Sequence, residues 1–397
     1  MSPQSSYSAL LPFLTHDRFA ADRTLRSLYA AEDTGRRLFA SGVLTALVLL
    51  LSATSSLAGD DSLASTDDAN GGESPGLSQA EDRSAADLVD RPPLPPVGVR
   101  LAEVLEGGEL RLGYSWERRR SQGFLAGTND VTPEFVRGSL GYTSTPRSLE
   151  VTVHTFEIAY APHPRVTLVA ELPFVQAELE RVDFSTSGSC RGVRCQYQSE
   201  GLGDVRFSMI VPFIRKGAES SQIHIGIDAP TGAFRRQGGT AMRLPYAAQP
   251  GNGTWDLEWG WTYKGELKRF SWGGQAVGRH PVARNGLDYR EGSRFTGRLW
   301  GVVRVFSGFD VSLRMEWEKQ NEIGGFDRSL RPTVDPLENP ELYDRTSITL
   351  SPGMSIEIPA LGGQRIGIEI GVPVYQDVDG PQLERDWTIK TAWRWVY

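Results

Sequence analysis

The sequence predicts an all-β fold: a transmembrane antiparallel up-and-down β-barrel of about twelve strands, with periplasmic N- and C-termini. Three observations carry this prediction. From Glu109 onward, segments of strand length alternate between apolar and polar residues. The connections between these segments are alternately short and long. The final segment, DWTIKTAWRWVY, places aromatic residues on one face as far as Tyr397.

Composition restricts the class of protein. The chain has 397 residues, a formal net charge of -7 and 39% hydrophobic residues. Its mean hydropathy of -0.32 is too polar for a helical membrane bundle. A barrel remains compatible, because only one face of each barrel strand meets lipid. The mild acidity, without any basic block, argues against a nucleic-acid partner.

The N-terminal part carries a predicted export signal. The apolar run 43–51 is too short to span a bilayer. Arg36 and Arg37 precede the run and small residues follow it, which is the order of a secretory signal with cleavage after Ala58. We therefore assign residues 1–58 to an N-terminal extension and signal segment. The first 35 residues fit either an unusually long signal or a later translation start.

A linker is predicted between the signal and the barrel. Residues 59–90 are acidic, small and nearly free of large apolar side chains, so they are expected to be disordered. The Pro-rich stretch 91–96 predicts a stiff extended spacer. We assign 59–100 to a disordered acidic and Pro-rich linker and 101–397 to the barrel.

The predicted strands are about 9–12 residues long, the length that a tilted strand needs to cross a bilayer. A further segment, 134–142, fits either another strand or a loop helix, so the strand count is uncertain by about two. The strand segments are 109–117, 149–160, 166–174, 204–213, 223–228, 255–263, 270–278, 294–306, 309–318, 348–358, 366–374 and 386–397.

The connections fall into two length classes. Short turns on one side and long loops on the other are typical of outer-membrane barrels, and a soluble β-sandwich has no reason to sort its loops in this way. An even strand count then puts both termini on the short-turn side. The short connections are 161–164, 215–220, 264–268, 307–308 and 360–363; the long ones are 118–148, 177–201, 230–254, 279–293, 318–346 and 375–385.

The polar faces of the strands are predicted to line the lumen. They either shape a passage for a solute or form a salt-bridged interior, which is the simpler interpretation for any one residue. The candidates are Arg206, His224, Asp228, Asp256, Glu258, Arg298, Arg304, Arg314, Glu316, Arg365, Glu369, Lys390 and Arg394.

Catalysis and metal binding have little support. His224 shares a face with Asp228, but no suitably placed Ser lies near them in sequence. Cys190 and Cys195 are predicted to form a local disulfide in a Gly/Ser-rich loop. A metal site would need two further ligands nearby. We predict no enzyme activity, no cofactor and no metal.

A set of motifs carries a family resemblance. Residues 201–204 read GLGD, residues 228–232 read DAPTG, and residues 245–256 read PYAAQPGNGTWD. This set resembles the outer-membrane "transporter" family named for the meta-pathway of phenol degradation, over about 201–263 and the terminal strand. The resemblance implies an outer-membrane channel for small, often apolar or aromatic, compounds. The Pro-, Gly- and Tyr-containing loop 238–255 is independently expected to fold into the barrel mouth and constrict it.

The terminal aromatic residues have a second predicted role. Trp393, Trp395 and Tyr397 resemble the signal that barrel-assembly machinery recognises. We therefore predict a bacterial outer-membrane protein that contacts outer-membrane lipid, the assembly machinery and a small-molecule solute. Its predicted function is a passive channel or transporter. The alternatives are a structural or adhesive barrel with a plugged lumen, a membrane-embedded hydrolase, and a soluble secreted β-sandwich.

Overall fold

The computed structural model describes residues 92–184, 191–238, 242–358 and 361–397, all in the second of two compact units, 76–397. The predicted signal segment and residues 59–91 of the predicted linker lie outside the described residues. The strands are β1 (Leu110–Gly127), β2 (Asn129–Val131), β3 (Ser144–His163), β4 (Val166–Asp183), β5 (Arg194–Leu202), β6 (Val205–Lys216), β7 (Glu219–Ala229), β8 (Asp256–Leu267), β9 (Phe270–Pro281), β10 (Tyr289–Arg290), β11 (Arg294–Phe306), β12 (Phe309–Gln320), β13 (Gly324–Gly325), β14 (Arg345–Ile358) and β15 (Gln364–Val396).

Eleven of these elements, the long β15 among them, form one closed antiparallel wall. The first half of β15 pairs with β14 and its second half pairs with β1. Because neighbouring strands of the wall run in opposite directions, β15 must reverse its direction, and Gly380 has the positive φ of 70° that suits such a turn. Twelve passes of the chain therefore close the barrel, which confirms the predicted architecture. The predicted long loop 375–385 is wrong, since these residues continue the two strand passes.

The barrel closes where its first strand, β1, pairs with its last strand, β15. The backbone N–H of Leu110 donates to the carbonyl of Tyr397 at 2.8 Å, and the N–H of Tyr397 donates back at 2.7 Å. The first and last strands therefore begin and end at the same rim. The tight turns at 217–218, 268–269 and 307–308 lie at this rim as well.

The outer face of the barrel is an apolar belt. Ile223, Ile225 and Ile227 alternate along β7 and are 41–50% exposed, and Trp259 and Trp261 on β8 are each 47% exposed. Monomeric soluble proteins rarely expose a contiguous apolar surface beyond a few hundred Å². Such a belt is typical of the outer surface of a membrane-spanning β-barrel.

Three neighbouring passes extend well past the predicted strand ends. β1, β3 and β4 are 18–20 residues long, so the wall is taller on their side of the barrel. The sequence pattern missed these extensions because their outward residues are polar: Arg118, for example, pairs with Glu150 on the neighbouring strand. A polar residue on both faces removes the apolar alternation although the backbone pairing continues.

The ambiguous segment 134–142 contains a short helix, α1 (Pro133–Gly138). The Thr132 hydroxyl accepts from the N–H of Phe135, and Pro133 occupies the first turn, where its missing N–H costs nothing. Three single-turn 3₁₀ helices lie in other loops: Tyr246–Ala248, Pro336–Glu338 and Pro340–Tyr343. No helix in the described ranges combines the length and the apolar character needed to cross a membrane.

Candidate functional site: the barrel lumen

The thirteen predicted lumen residues lie on the inward faces of their strands, where they are buried or half-buried. Twelve of them form ion pairs with other charged side chains of the lumen, and His224 lies beside Glu258 at 3.7 Å. The pairs include Arg206–Asp228, Arg279–Asp256, Arg100–Glu258, Arg298–Glu316, Arg304–Asp310, Arg314–Glu369, Arg365–Glu103, Lys390–Glu117 and Arg394–Glu103. Pairing is expected, because an unpaired charge in a partly dehydrated interior is strongly destabilising.

His224 has the surroundings of a packing residue. It is 1% exposed, and neither ring nitrogen has a hydrogen-bond partner. A general base needs a hydrogen bond to the group that it deprotonates, and no serine in the described ranges supplies one to His224. Within those ranges no group of His, Cys, Asp and Glu side chains is arranged to hold a metal ion.

The motifs that carried the family resemblance meet at one point of the wall. The Asp204 carboxylate accepts the N–H of Gly232 through Oδ1 and the N–H of Asn252 through Oδ2, both at 2.9 Å. Gly232 and Gly251 pack backbone to backbone, and a Cβ on Gly251 would lie 2.7 Å from the Cα of Gly232. One carboxylate and two glycines therefore fasten both ends of the loop between β7 and β8 to the wall.

This loop folds into the barrel mouth, as the sequence predicted. Tyr246 is 4% exposed and packs edge-on against Tyr289 and Tyr343, with ring centroids 4.8 Å and 5.7 Å apart. Its hydroxyl accepts from the N–H of Asp327 at 3.0 Å. Three long loops are therefore joined above the lumen by aromatic packing.

A second loop contact is ionic and buried. Arg181 of β4 pairs with Asp335 and with Glu338, which both lie in the loop between β12 and β14. Burial, and then the neighbouring Asp335 carboxylate, raise the pKa of Glu338 to about 7. The state of this carboxyl therefore changes within the physiological pH range.

An upper chamber of about 300 Å³ lies beneath the folded loops. One wall is apolar and consists of Leu149, Val151 and Val153 on β3 and Pro173 and Val175 on β4. The remaining wall is rich in arginine. Such a chamber suits a small molecule with one apolar and one polar side.

The segment before β1 lies inside the barrel. Residues 92–100, which the sequence pattern assigns to the disordered linker, are mostly buried here. Arg365 donates to the carbonyls of Leu94 and Pro95, and Gln222 donates to the carbonyl of Leu101 at 2.7 Å. We call residues 92–109 the N-terminal plug. The remaining boundaries of the predicted domains stay predictions.

Two charged residues anchor the N-terminal plug. Glu103 accepts from Arg394 at 2.6 Å and from Arg111 at 3.1 Å. Arg100 pairs with Glu171 and, at 3.2 Å, with Glu258. These contacts fill the lumen near the short-turn rim.

A lower chamber of about 260 Å³ separates the N-terminal plug from the upper chamber. Val97, Gly98 and Arg100 of the plug form part of its lining. Six residues line both chambers, so the chambers adjoin. These shared residues are Arg119, Val153, Arg206, Arg294, Arg385 and Thr388.

Several lumen residues escaped the sequence prediction. Arg119 and Glu171 belong to inward faces, and strict alternation along β1 and β4 would have identified them. Arg100 and Glu103 precede the first strand, and no periodic signal marks them.

One half of the predicted disulfide lies within the described ranges. Cys195 on β5 is disulfide-bonded. Its predicted partner, Cys190, lies outside the described residues, so the pairing stays a prediction. The aromatic ending is described: Trp393 donates to Gln364 at 2.8 Å, and Trp395 packs edge-on against Tyr397.

Comparison with known proteins reveals similarity of structure only. An outer membrane channel from Pseudomonas putida F1 is similar with a TM-score of 0.53 and 12% identity, over 76% of this chain and 100% of that chain. A Pseudomonas aeruginosa FadL homologue has a TM-score of 0.36 and 7% identity, over 72% and 90%. The Pseudomonas putida toluene transporter TodX has a TM-score of 0.36 and 8% identity, over 74% and 90%. No protein-family model and no curated protein matches the chain. The first similarity establishes the fold, an outer-membrane type of β-barrel.

Proposed function

We propose that this protein is a passive outer-membrane channel for small molecules, apolar or aromatic ones among them. The observation that carries the proposal is the pair of adjoining chambers, of which the upper one has an apolar wall on β3 and β4. The motif resemblance to the transporter family named for phenol degradation supports it. So does the similarity in fold to the Pseudomonas putida F1 protein, which is named an outer membrane channel. Outer-membrane lipid and barrel-assembly machinery are the proposed partners of the outer face and of the terminal strand.

The N-terminal plug gives this channel a closed state. A solute that reaches the lower chamber meets Val97, Gly98 and Arg100 before the short-turn rim. Passage through the barrel therefore requires the plug to move. Movement of the plug must break its hydrogen bonds and ion pairs and also separate Leu101 and Leu105 from the apolar residues of the wall, so the closed state is the stable one.

Reconstitution tests the proposal. The full chain, folded in planar bilayers, is expected to show rare current steps, and a variant that lacks residues 92–100 is expected to show frequent ones. In proteoliposomes the same variant is expected to admit small solutes faster. If both proteins fold, as heat-modifiable gel mobility reports, and neither carries current or solute, the channel proposal is wrong.

A second candidate is a structural or adhesive barrel with a permanently plugged lumen. The paired charges of the lumen and the N-terminal plug favour it, and the long loops would then be its working surface. The full chain separates the two functions, because a permanently plugged barrel would show no current steps while residues 92–100 are present, whereas a channel would show rare ones.

A hydrolase is the third candidate, and one contact bears on it. His280 Nδ1 and Ser293 Oγ lie 2.6 Å apart at the end of β9, on the exposed side of the wall. No carboxylate in the described ranges orients His280, as a catalytic triad requires. Assay of the detergent-solubilised protein on lipid and ester substrates, beside Ser293→Ala, tests this candidate: only activity lost in the variant supports it.

A further inference from the structure

Four arginines form a collar where the two chambers meet. Arg119 on β1, Arg206 on β6, Arg294 on β11 and Arg385 on β15 each line both chambers. Arg119 and Arg385 come from the neighbouring strands β1 and β15, while β6 and β11 lie in two other parts of the wall, so the arginines approach the lumen from three sides. The collar is thus a concentration of positive charge in the middle of the barrel.

The collar carries more positive charge than its carboxylates neutralise. Glu318 is the ion-pair partner of both Arg294, at 3.9 Å, and Arg385, at 2.8 Å. Glu117 is likewise shared by Arg119, at 3.2 Å, and Lys390, at 3.4 Å. A carboxylate balances one charge, so each of these sites keeps a surplus cation.

The lining of the upper chamber also carries an excess of positive charge. Its lining contains seven arginines but only two acidic residues, Asp204 and Glu291. The Asp204 carboxylate is occupied by the N–H groups of the anchored loop. Arg345 is 8% exposed, and its side chain bonds only to neutral oxygens of Gln382 and Leu383 among the described residues. A cleft with an excess of one charge sign and low-dielectric walls concentrates ions of the opposite sign.

Two collar arginines have the donors that a ligand would need. Arg119 pairs with Glu117 through Nε at 3.2 Å, and among the described residues its side chain makes no hydrogen bond through the two terminal NH2 groups. In the described part of the chain, Arg206 has one long ion pair, 3.6 Å from Asp228, and no hydrogen bond through its side chain. Asp228 keeps Arg279 at 2.9 Å as a second partner. Both guanidinium groups are therefore available to a carboxylate, which they bind through paired N–H donors.

The apolar wall of β3 and β4 lies between the strands that carry Arg119 and Arg206, since β3 pairs with β1 and β4 pairs with β6. A ligand that satisfies both sides carries one negative charge at one end and an apolar body at the other. The chamber volume of about 300 Å³ limits that body to a small size. A planar ring suits the wall, because Val151, Val153 and Val175 present branched side chains to it.

We propose that the upper chamber binds a small aromatic monocarboxylate, with its carboxylate on Arg119 and Arg206 and its ring against the wall of β3 and β4. This site would bind its ligand whether or not the barrel conducts solutes. The role of the site in solute passage rests on the proposed channel function. The carboxylate supplies the charge that the collar lacks, and the ring displaces water from apolar surface.

Calorimetric titration of the full chain in detergent tests the proposal. Benzoate is the probe, and benzamide is its neutral analogue of nearly the same shape. Benzoate is expected to bind at least about tenfold more tightly than benzamide, and added salt is expected to reduce this preference. Equal binding of the two probes, or no binding of either, would overturn the proposal.

Variants locate the site. The double variant Arg119→Gln/Arg206→Gln leaves Glu117 with Lys390 and Asp228 with Arg279, so each of these carboxylates keeps a cationic partner. It is expected to weaken benzoate binding about tenfold or more and to leave benzamide unchanged. Arg269→Gln, at an exposed turn of the short-turn rim, is the control and should bind benzoate normally. An unaltered benzoate affinity in a folded double variant contradicts the assignment; if that variant does not fold, the benzoate preference and its salt dependence in the unaltered chain decide.

Binding and flux measurements together distinguish failure of the proposed binding site from failure of the proposed channel function. Benzoate binding without solute flux in proteoliposomes would refute the channel and keep the site. Flux of neutral solutes without any preference for benzoate would keep the channel and refute the site.

Discussion

Glu103→Gln is expected to loosen the N-terminal plug. Glu103 Oε1 accepts from Arg394 at 2.6 Å and lies 3.7 Å from Arg365, while Oε2 accepts from Arg111 at 3.1 Å. One negative charge therefore holds three guanidinium groups together. A glutamine at position 103 keeps one acceptor oxygen and removes the charge, which leaves the arginines mutually repelling.

Removal of one partner from a buried ion pair costs about 3–5 kcal/mol. The side chains of Glu103 and Arg394 remain 12–13% exposed, so the lower end of this range applies. The anchors at Arg100 and at the carbonyl of Leu101 remain, so the plug should weaken without leaving permanently. A loss of about 3 kcal/mol corresponds to roughly a hundredfold rise in the fraction of time that the plug is displaced.

Hydrogen exchange measures this opening directly. The N–H groups of Val99, Leu105 and Gly108 are hydrogen-bonded in the closed barrel, and their exchange is expected to accelerate in Glu103→Gln. Glu106→Gln is the matched control, because Glu106 lies in the same segment with an exposed side chain. Planar-bilayer current steps should become more frequent only in Glu103→Gln. Unchanged exchange of these amides in Glu103→Gln would refute the role of Glu103 as an anchor.

Four further predictions concern the loops and the pairing of β1 with β15 that closes the barrel. Asp204→Asn should weaken two charge-assisted hydrogen bonds, each worth about 1.5–3 kcal/mol, and expose the loop after β7 to protease. Gly251→Ala should separate the same loop from Gly232, at a cost of about 1–3 kcal/mol seen as faster exchange of the loop amides. Deletion of residues 395–397 removes the last hydrogen bonds of the pairing between β1 and β15 and should lower the amount of heat-modifiable protein in membranes. The raised pKa of Glu338, about 7 against an ordinary 4.5, means that its loop docks most firmly below pH 4.5 and loosens as the pH rises through 7, which protease sensitivity would follow. Glu338→Gln should reduce this dependence without abolishing it, because burial also raises the pKa of Asp335 in the same loop.

Each of these predictions has a matched control. Asp130→Asn and Glu341→Gln alter exposed loop carboxyls, and Gly138→Ala adds a Cβ where nothing lies within 4 Å. Tyr397→Phe keeps an aromatic end and should assemble normally. A loop equally resistant in Asp204→Asn and Asp130→Asn, or a barrel assembled at normal levels after the terminal deletion, would contradict the corresponding prediction. So would loop sensitivity to protease in the unaltered chain that does not change between pH 4 and pH 8.

The sequence predicted the wall of the barrel more completely than its contents. Alternation along β7 and β8 is strict, since every second residue, such as Ile225 or Trp259, is exposed on the outer face while His224 and Glu258 are buried on the inner face. Lipid and lumen impose this pattern on every spanning strand. The pattern ends where the wall leaves the membrane, and for this reason the extensions of β1, β3 and β4 were predicted as loops.

The loop over the mouth was anticipated only in outline. Its Pro, Gly and Tyr content indicated a compact fold. The fastening of that loop by Asp204, and the packing of Tyr246 on Tyr289 and Tyr343, depend on three separate loops meeting in space. No short-range pattern encodes such a meeting.

The sequence by itself determined the twelve-pass barrel, the inward and outward faces and the shared rim of the first and last strands. These follow from a two-residue period, which is a local property of the chain. Only the tertiary structure decided what fills the barrel. Glu103 and Arg394 are 291 residues apart, and Arg100 and Glu258 are 158 apart. The N-terminal plug and the arginine collar arise because closure of the barrel brings such distant charges into one partly dehydrated space, where each charge must find a partner or attract one from solution.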